Sequence, residues 1–354
     1  MTSLSTQRPD TITVEGVTYR IAESRTVLDI DRDLPWHSGR WPLESWFIVS
    51  NLDSAGQRIG FQVHFMIQTL PTGADVVALN VVVVNETAGV SHDFEYLYPL
   101  DQIELSAERM HISTPELTFT GDRDGCTVRV TGKDASIDIT TTNPAPPVLM
   151  NGQGQFHFID LDEQYEFAFP AMPTTGTVVI DAVTYPVTGA SWLDRQWGGL
   201  PGFFALGLAG GAPAPGPDGA MPRIMNWMWT NPQLDNGVNI AAAQIRDMID
   251  NKIYLALTAV HPDGTHVVVP RMEPVEMSEH WTSPTSGHRY PTRCVFRVPQ
   301  IDTELIVEVP YKQQEIVSAV DIMTKFEGTA TVTGTYQGEP VTGYGYLELV
   351  GNWS

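Results

Sequence analysis

Ser191-Trp192-Leu193-Asp194-Arg195-Gln196-Trp197-Gly198-Gly199 gathers two tryptophans, an acid and a guanidinium within nine residues. A strand-like run from Gly176 to Gly189 precedes it, and an apolar, glycine-rich segment follows. The stretch reads as a loop beside flexible backbone, with a composition suited to the wall of a lined cavity. The same residues suit a structural use, with Trp192 and Trp197 closing a barrel end and Asp194 paired with Arg195.

Outward from this stretch, the chain reads as strands. Arg58 to Thr69 and Val76 to Val84 alternate or run continuously in β-branched residues, and Val81 to Val84 should be covered on both faces. Leu117 to Thr140 repeats strand and turn, with turns at Gly121-Asp122-Arg123-Asp124-Gly125 and Gly132-Lys133-Asp134. Thr11 to Arg20 reads as a hairpin turning at Gly16. The 30 glycines and 26 prolines fall mostly between runs, and no convincing amphipathic helix interrupts them, so the expected class is all-β. At 354 residues the chain exceeds the size of one usual core. Pro170, Pro173 and Gly176 punctuate its middle, so two domains are expected, 1–172 and 173–354.

Hydrophobic residues at 42% and charged residues at 18% describe a soluble globular protein with a sizeable interior. The 20 basic and 42 acidic residues leave a net charge of -22, a field that repels nucleic acid and anionic membrane surfaces. No apolar run approaches the length of a membrane span, and the first ten residues lack a signal core, so a cytoplasmic protein is expected. Cys126 and Cys294 are 168 positions apart and read as two buried free thiols.

No phosphate-binding glycine loop, paired Cys-x-x-Cys, His-Glu-x-x-His or Gly-x-Ser-x-Gly occurs, and the nine histidines are dispersed, so neither cofactor nor metal is expected. Tryptophans around one or two carboxylates suit a different chemistry. Aromatic faces stabilise a cation in a dry site, and a buried carboxylic acid can stay protonated near neutral pH. Asp194 is the best candidate for such an acid. Arg195, if paired with it, would lower its pKa. A second aromatic cluster, Trp36 to Trp46, contains His37, Arg40 and Glu44. In Asn226-Trp227-Met228-Trp229-Thr230 the two-residue period puts Trp227 and Trp229 on one face of a strand and Met228 on the other.

Taken together, these segments resemble a known group. Ser191 to Gly198 resembles the Trp-x-Asp-x-x-Trp-Gly signature of the lipocalin-like family that includes carotenoid 1,2-hydratase (hydroxyneurosporene synthase), AttH-type proteins and fungal decalin-forming Diels–Alderases. Asn226 to Trp229 with Gln233-Leu234-Asp235-Asn236-Gly237 resembles its Trp-x-Trp strand and following turn. Lys325-Phe326-Glu327-Gly328 and Val341 to Gly351 resemble its C-terminal motifs, and Glu44-Ser45-Trp46-Phe47 its N-terminal strand. Where the family often has histidine after the signature acid, this chain has Arg195, which cannot carry a proton back and forth.

The resemblance implies two lipocalin-like β-barrels packed together, with a ligand cavity near their interface. Fold does not fix the reaction. The expected function is cofactor-independent, acid-assisted hydration, cyclisation or isomerisation of an apolar isoprenoid or polyketide. Asp194 would be the acid, with Glu44 or His92 as a second acid–base group. Trp46, Trp192, Arg195, Trp197, Trp227, Trp229 and Arg223 would contact the hydrophobic small-molecule substrate. Two other readings use the same cavity: a pericyclase that holds a reactive conformer, and a non-catalytic carrier of a hydrophobic metabolite. Glu327 and Glu348 read as fold determinants in a closing hairpin.

Overall fold

The valines at 81–84 illustrate how the chain is organised. All four are buried, with Val81 and Val83 in the core of the first sheet, and Val84 facing the second half near Gly60 and Thr329. The computed structural model describes residues 11–20, 28–69, 73–157, 163–199, 225–247, 252–318, 324–351 and 353. They form two 13-stranded sheets, and the all-β, lipocalin-like expectation holds.

The first sheet runs from the edge strand Val90–Tyr98 through Asp75–Asn85, Gln57–Thr69, Leu43–Ser54, Val183–Gly198 and Glu163–Ile180. It continues through Ala135–Thr141 and Gly125–Thr131 to the far edge at Glu104–Leu105. It curls around one core in which Trp46, Phe61, Phe65, Phe119, Phe167 and Leu193 are almost wholly buried. The second sheet passes from His266–Val269 through Ile253–Val260, Asn239–Asp247, Met225–Thr230, Glu339–Val350 and Lys325–Tyr336 to Glu276–Thr282. Its own core holds Met228, Tyr290, Phe296, Phe326 and Leu349. Cys126 and Cys294 are buried and free, one in each core.

A third, smaller cluster joins the two units through their outer faces. Phe47, Val49, Ala168 and Trp192 of the first sheet meet Trp229, Ala241, Val260 and Tyr346 of the second. Phe47 packs edge-on against Trp229 at 5.5 Å, and Trp192 does the same at 6.1 Å, an arrangement favoured by the charge distribution of the rings.

Three expectations from the sequence change here. The run from Gly176 to Gly189 is two strands, because Asp181 and Ala182 take positive φ and turn the chain into the hairpin Glu163–Ile180, Val183–Gly198. The signature from Ser191 to Gly198 is therefore strand, not loop, paired on one side with Glu163–Ile180 and on the other with Leu43–Ser54. The position 172/173 lies inside Glu163–Ile180, all of which belongs to the first sheet. From Leu43 onward, sheet membership changes only between 198 and 225. The Pro170 to Pro173 punctuation marks a register shift between Phe169 and Met172, where the strand bulges and continues. The hairpin at Thr11 to Arg20 forms with Gly16 at its turn, but it joins the second sheet, parallel to His266–Val269. Among the described residues no helix is long and apolar enough to cross a membrane.

Candidate active site

Because side chains alternate along a strand, the signature serves two compartments. Leu193, Arg195 and Trp197 point into the first barrel, whereas Trp192, Asp194 and Gln196 point out of it, toward the second sheet. Asp194 and Arg195 are therefore not a pair.

Inside the barrel, Arg195 is completely buried and forms a short ion pair with Glu44. Its remaining donors reach the carbonyl oxygens of Asp33 at 2.9 Å, Pro35 at 3.0 Å and Gln196 at 2.9 Å. Its guanidinium lies 4.1 Å from the centre of the Trp46 ring and 5.1 Å from that of Trp197. His37 bridges Glu44 at 3.0 Å and Asp33 at 3.3 Å. Burial disfavours the Glu44 carboxylate, but Arg195 and His37 outweigh it and hold its pKa below the ordinary value. The network satisfies nearly every donor of Arg195 and pins the helical turn Ile30–Asp33 over the barrel end.

On the other face of the same strands lies a cleft between the sheets. Leu43, Ser45, Phe47, His64, Met66, Gln68, Glu166, Asp194 and Gln196 line one wall, and Trp227, Trp229, Glu348 and Val350 the other. Its volume is about 650 Å³ including the space at its open mouth. Pairing explains the convergence. Asp194 stands opposite Phe47 and Ala168, Gln196 opposite Ser45 and Glu166, and His64 opposite Phe47. Across the cleft, Trp229 pairs with Glu348 and Trp227 with Val350.

The Trp192 indole N–H donates to Asp194 Oδ1 at 2.7 Å, fixing the carboxyl. Burial raises the Asp194 pKa well above the usual carboxylate range; the Trp192 bond opposes this and the charge of Glu348 adds to it. Glu166 is likewise pushed well up, first by burial and then by Asp194 and Glu348. On the second sheet, Lys325 pairs with Glu327 at 2.6 Å and with Glu348 at 3.6 Å. The Lys325 ammonium is opposed by burial, but Glu327 and Glu348 together raise its pKa.

Of the residues singled out from sequence, Asp194, Trp227 and Trp229 line the cleft, with Trp192 buried directly behind Asp194. Glu44, Trp46, Arg195 and Trp197 sit on the barrel side of the sheet. His92 is on the edge strand Val90–Tyr98, where its Nε2 meets Asp181 Oδ1 at 2.9 Å, away from the cleft. Arg223 lies outside the described residues. Glu348, read as a fold determinant, lines the cleft. Sequence reasoning missed Glu166, Ser45 and Lys325 and left His64 without a role. The available signal was Glu166 on the face of its strand opposite Tyr165 and Phe167, a polar residue amid core-forming neighbours.

These groups make stability depend on pH in a defined way. The unfolded chain releases the Asp194 and Glu166 protons in the ordinary carboxylate range, whereas the raised pKa of each group in the folded chain holds its proton to higher pH. Above that range the folded state binds more protons, so stability falls as pH rises. Glu44 has the opposite sign, its contribution being lost as pH falls through its depressed pKa. Denaturation midpoints are expected to fall from mildly acidic to neutral pH, with a shallower fall in Asp194→Asn. An identical slope in the variant would contradict the shift.

Two curled β-sheets, each with its own core, joined back to back around a carboxyl- and tryptophan-lined cleft, define a two-barrel lipocalin-like protein. The chain belongs to the AttH-like family, whose model matches residues 22–352. A solved structure described as an AttH from Nitrosomonas europaea is similar at 20% identity and a TM-score of 0.74, over 93% of this chain and 98% of that one. Kievitone hydratase from Nectria haematococca is similar at 18% identity and a TM-score of 0.69, over 87% of this chain and 89% of that one. CghA, solved with Sch210972, is similar at 12% identity and a TM-score of 0.51, over 88% of each chain. A search of curated proteins gave no match.

Proposed function

We propose that this protein is a cofactor-independent enzyme that uses the inter-barrel cleft for acid-assisted hydration, cyclisation or isomerisation of an alkene in an apolar isoprenoid or polyketide. The observation that carries the proposal is Asp194, a buried carboxyl held by Trp192, whose pKa burial pushes well above the usual carboxylate range, facing the Trp227 and Trp229 wall. The Asp194 proton passes to one alkene carbon, leaving positive charge on its neighbour. The indole faces stabilise that charge, as aromatic faces do in a dry site. In hydration, water adds to the cation and its surplus proton restores Asp194. In cyclisation, a second double bond attacks instead, and loss of a proton ends the reaction. The Asp194 carboxylate left by the first step takes that proton back, and Glu166, whose own charge is disfavoured by burial, is not the base. Glu44, Trp46, Arg195 and Trp197 have a structural role in this scheme, and His92 has none.

The hydratase reading draws support from the similarity in fold to kievitone hydratase. The test is incubation with a panel of terpenoid and polyketide alkenes in ¹⁸O-labelled water, read by mass spectrometry. Gain of one labelled water identifies hydration, and a product of unchanged mass with a new retention time identifies cyclisation or isomerisation. Recovery of every compound unchanged, with one retained in the cleft, would replace the enzyme with a carrier.

A further inference from the structure

Lys325, His64 and Ser45 form a chain across the cleft that the scheme above does not use. Lys325 Nζ lies 3.0 Å from His64 Nδ1, and His64 Nε2 lies 2.8 Å from Ser45 Oγ. Lys325 is almost fully buried, and it is fixed from behind by Glu327. An ammonium only donates, so Nδ1 of His64 must accept. A neutral imidazole with Nδ1 accepting carries its hydrogen on Nε2, which then donates to Ser45 Oγ. One lone pair of Ser45 is thereby occupied, and its own O–H has no acceptor among the described residues.

The same polarity argues against a serine nucleophile. If Ser45 passed its proton to Nε2, His64 would become a cation held against the Lys325 ammonium. Burial and Lys325 both push the His64 pKa well down, in the same direction as the geometry.

We propose that Lys325 and His64 are positioning residues that make the Ser45 hydroxyl a directed hydrogen-bond donor into the cleft, where it receives a carbonyl oxygen of the substrate. The inference rests on the cleft being the substrate site and narrows the substrate class to apolar alkenes that also carry a carbonyl. Ser45 and Asp194 are diagonal neighbours on adjacent strands, since Ser45 pairs with Gln196 and Phe47 with Asp194. Such positions lie roughly 7–8 Å apart. One substrate can therefore place its oxygen at Ser45 and an alkene a few bonds away at Asp194.

The test compares geranylacetone, an apolar ketone with two alkenes, with the hydrocarbon of the same skeleton in which the carbonyl is a methylene. Binding is followed by the fluorescence of the cleft tryptophans in the full chain. The wild type should bind the ketone about tenfold more tightly than the hydrocarbon, the worth of one buried hydrogen bond. Ser45→Ala should lose that preference or reverse it, because the carbonyl is then buried without a donor, and Ser45→Thr, which restores a hydroxyl, should recover it. Nitrogen-15 NMR should find His64 protonated at Nε2 only, with its signal assigned by its loss in His64→Gln. Equal binding of the two compounds by the wild type, or a ketone preference that survives Ser45→Ala, would overturn the inference while leaving the cleft as the binding site. Failure of both compounds to change the fluorescence would overturn the inference and the cleft reading together.

Discussion

Asp194→Asn is expected to lower turnover about a thousandfold while leaving the protein folded and its ligand affinity within about twofold. General acid catalysis contributes roughly 10²–10⁴ to rate, and an amide cannot deliver the proton. Folding should survive because burial already disfavours the charged form of the native carboxyl, and asparagine is a neutral group of the same shape. The asparagine carbonyl oxygen can still accept the Trp192 indole N–H that now reaches Oδ1 at 2.7 Å. Steady-state kinetics on whichever alkene is turned over, alongside a binding titration, separates the two effects. Turnover near the wild-type rate in this variant would remove Asp194 as the acid.

Arg195→Met should do the reverse. The substitution leaves the buried Glu44 carboxylate without its guanidinium and removes the stacking on Trp46 and Trp197. It also strips the Asp33 and Pro35 carbonyls of a donor. Breaking a buried ion pair by deleting one partner costs about 3–5 kcal/mol, because the survivor remains buried and uncompensated. Guanidinium unfolding should report a loss of that size, with turnover per folded molecule changed by less than about threefold. Arg195→Lys should recover only part of the stability, since an ammonium cannot reproduce the planar fork that reaches several acceptors. A stable Arg195→Met protein with abolished turnover would place Arg195 in the chemistry and refute its structural role.

These opposite outcomes at adjacent positions arise from the two-residue period of a strand, which also explains what the sequence could and could not disclose. The strands of the first half were legible in their alternation and turns, as at Gly121 to Gly125, and Trp227 and Trp229 were correctly placed together on one face. The ordered motifs from Glu44 to Gly351 were enough to imply two barrels. The signature itself was misread as loop because its glycines and mixed charges imitate one, and its strand character comes from pairing on both sides with segments more than a hundred residues apart in sequence. The proline cluster at 170–173 looked like a boundary but is a bulge within a strand that continues through it.

The cleft was the least legible part. Glu166 and Ser45 share the cleft only because both pair with Gln196 from opposite sides, and His64 meets Lys325 only because two separate sheets pack together. Such relations depend on register and on inter-sheet packing, neither of which is encoded by local residue type. The same limitation led Glu44 and Arg195 toward the substrate in the sequence reading, when one step of register turns them to the barrel interior.

The central claim is that the cleft holds a neutral carboxylic acid at Asp194, and infrared spectroscopy addresses it directly. In the difference spectrum of wild type minus Asp194→Asn at pH 7, the C=O stretch of a protonated carboxylic acid should be contributed by the wild type alone. A difference spectrum showing instead the paired bands of an ionised carboxylate would contradict it.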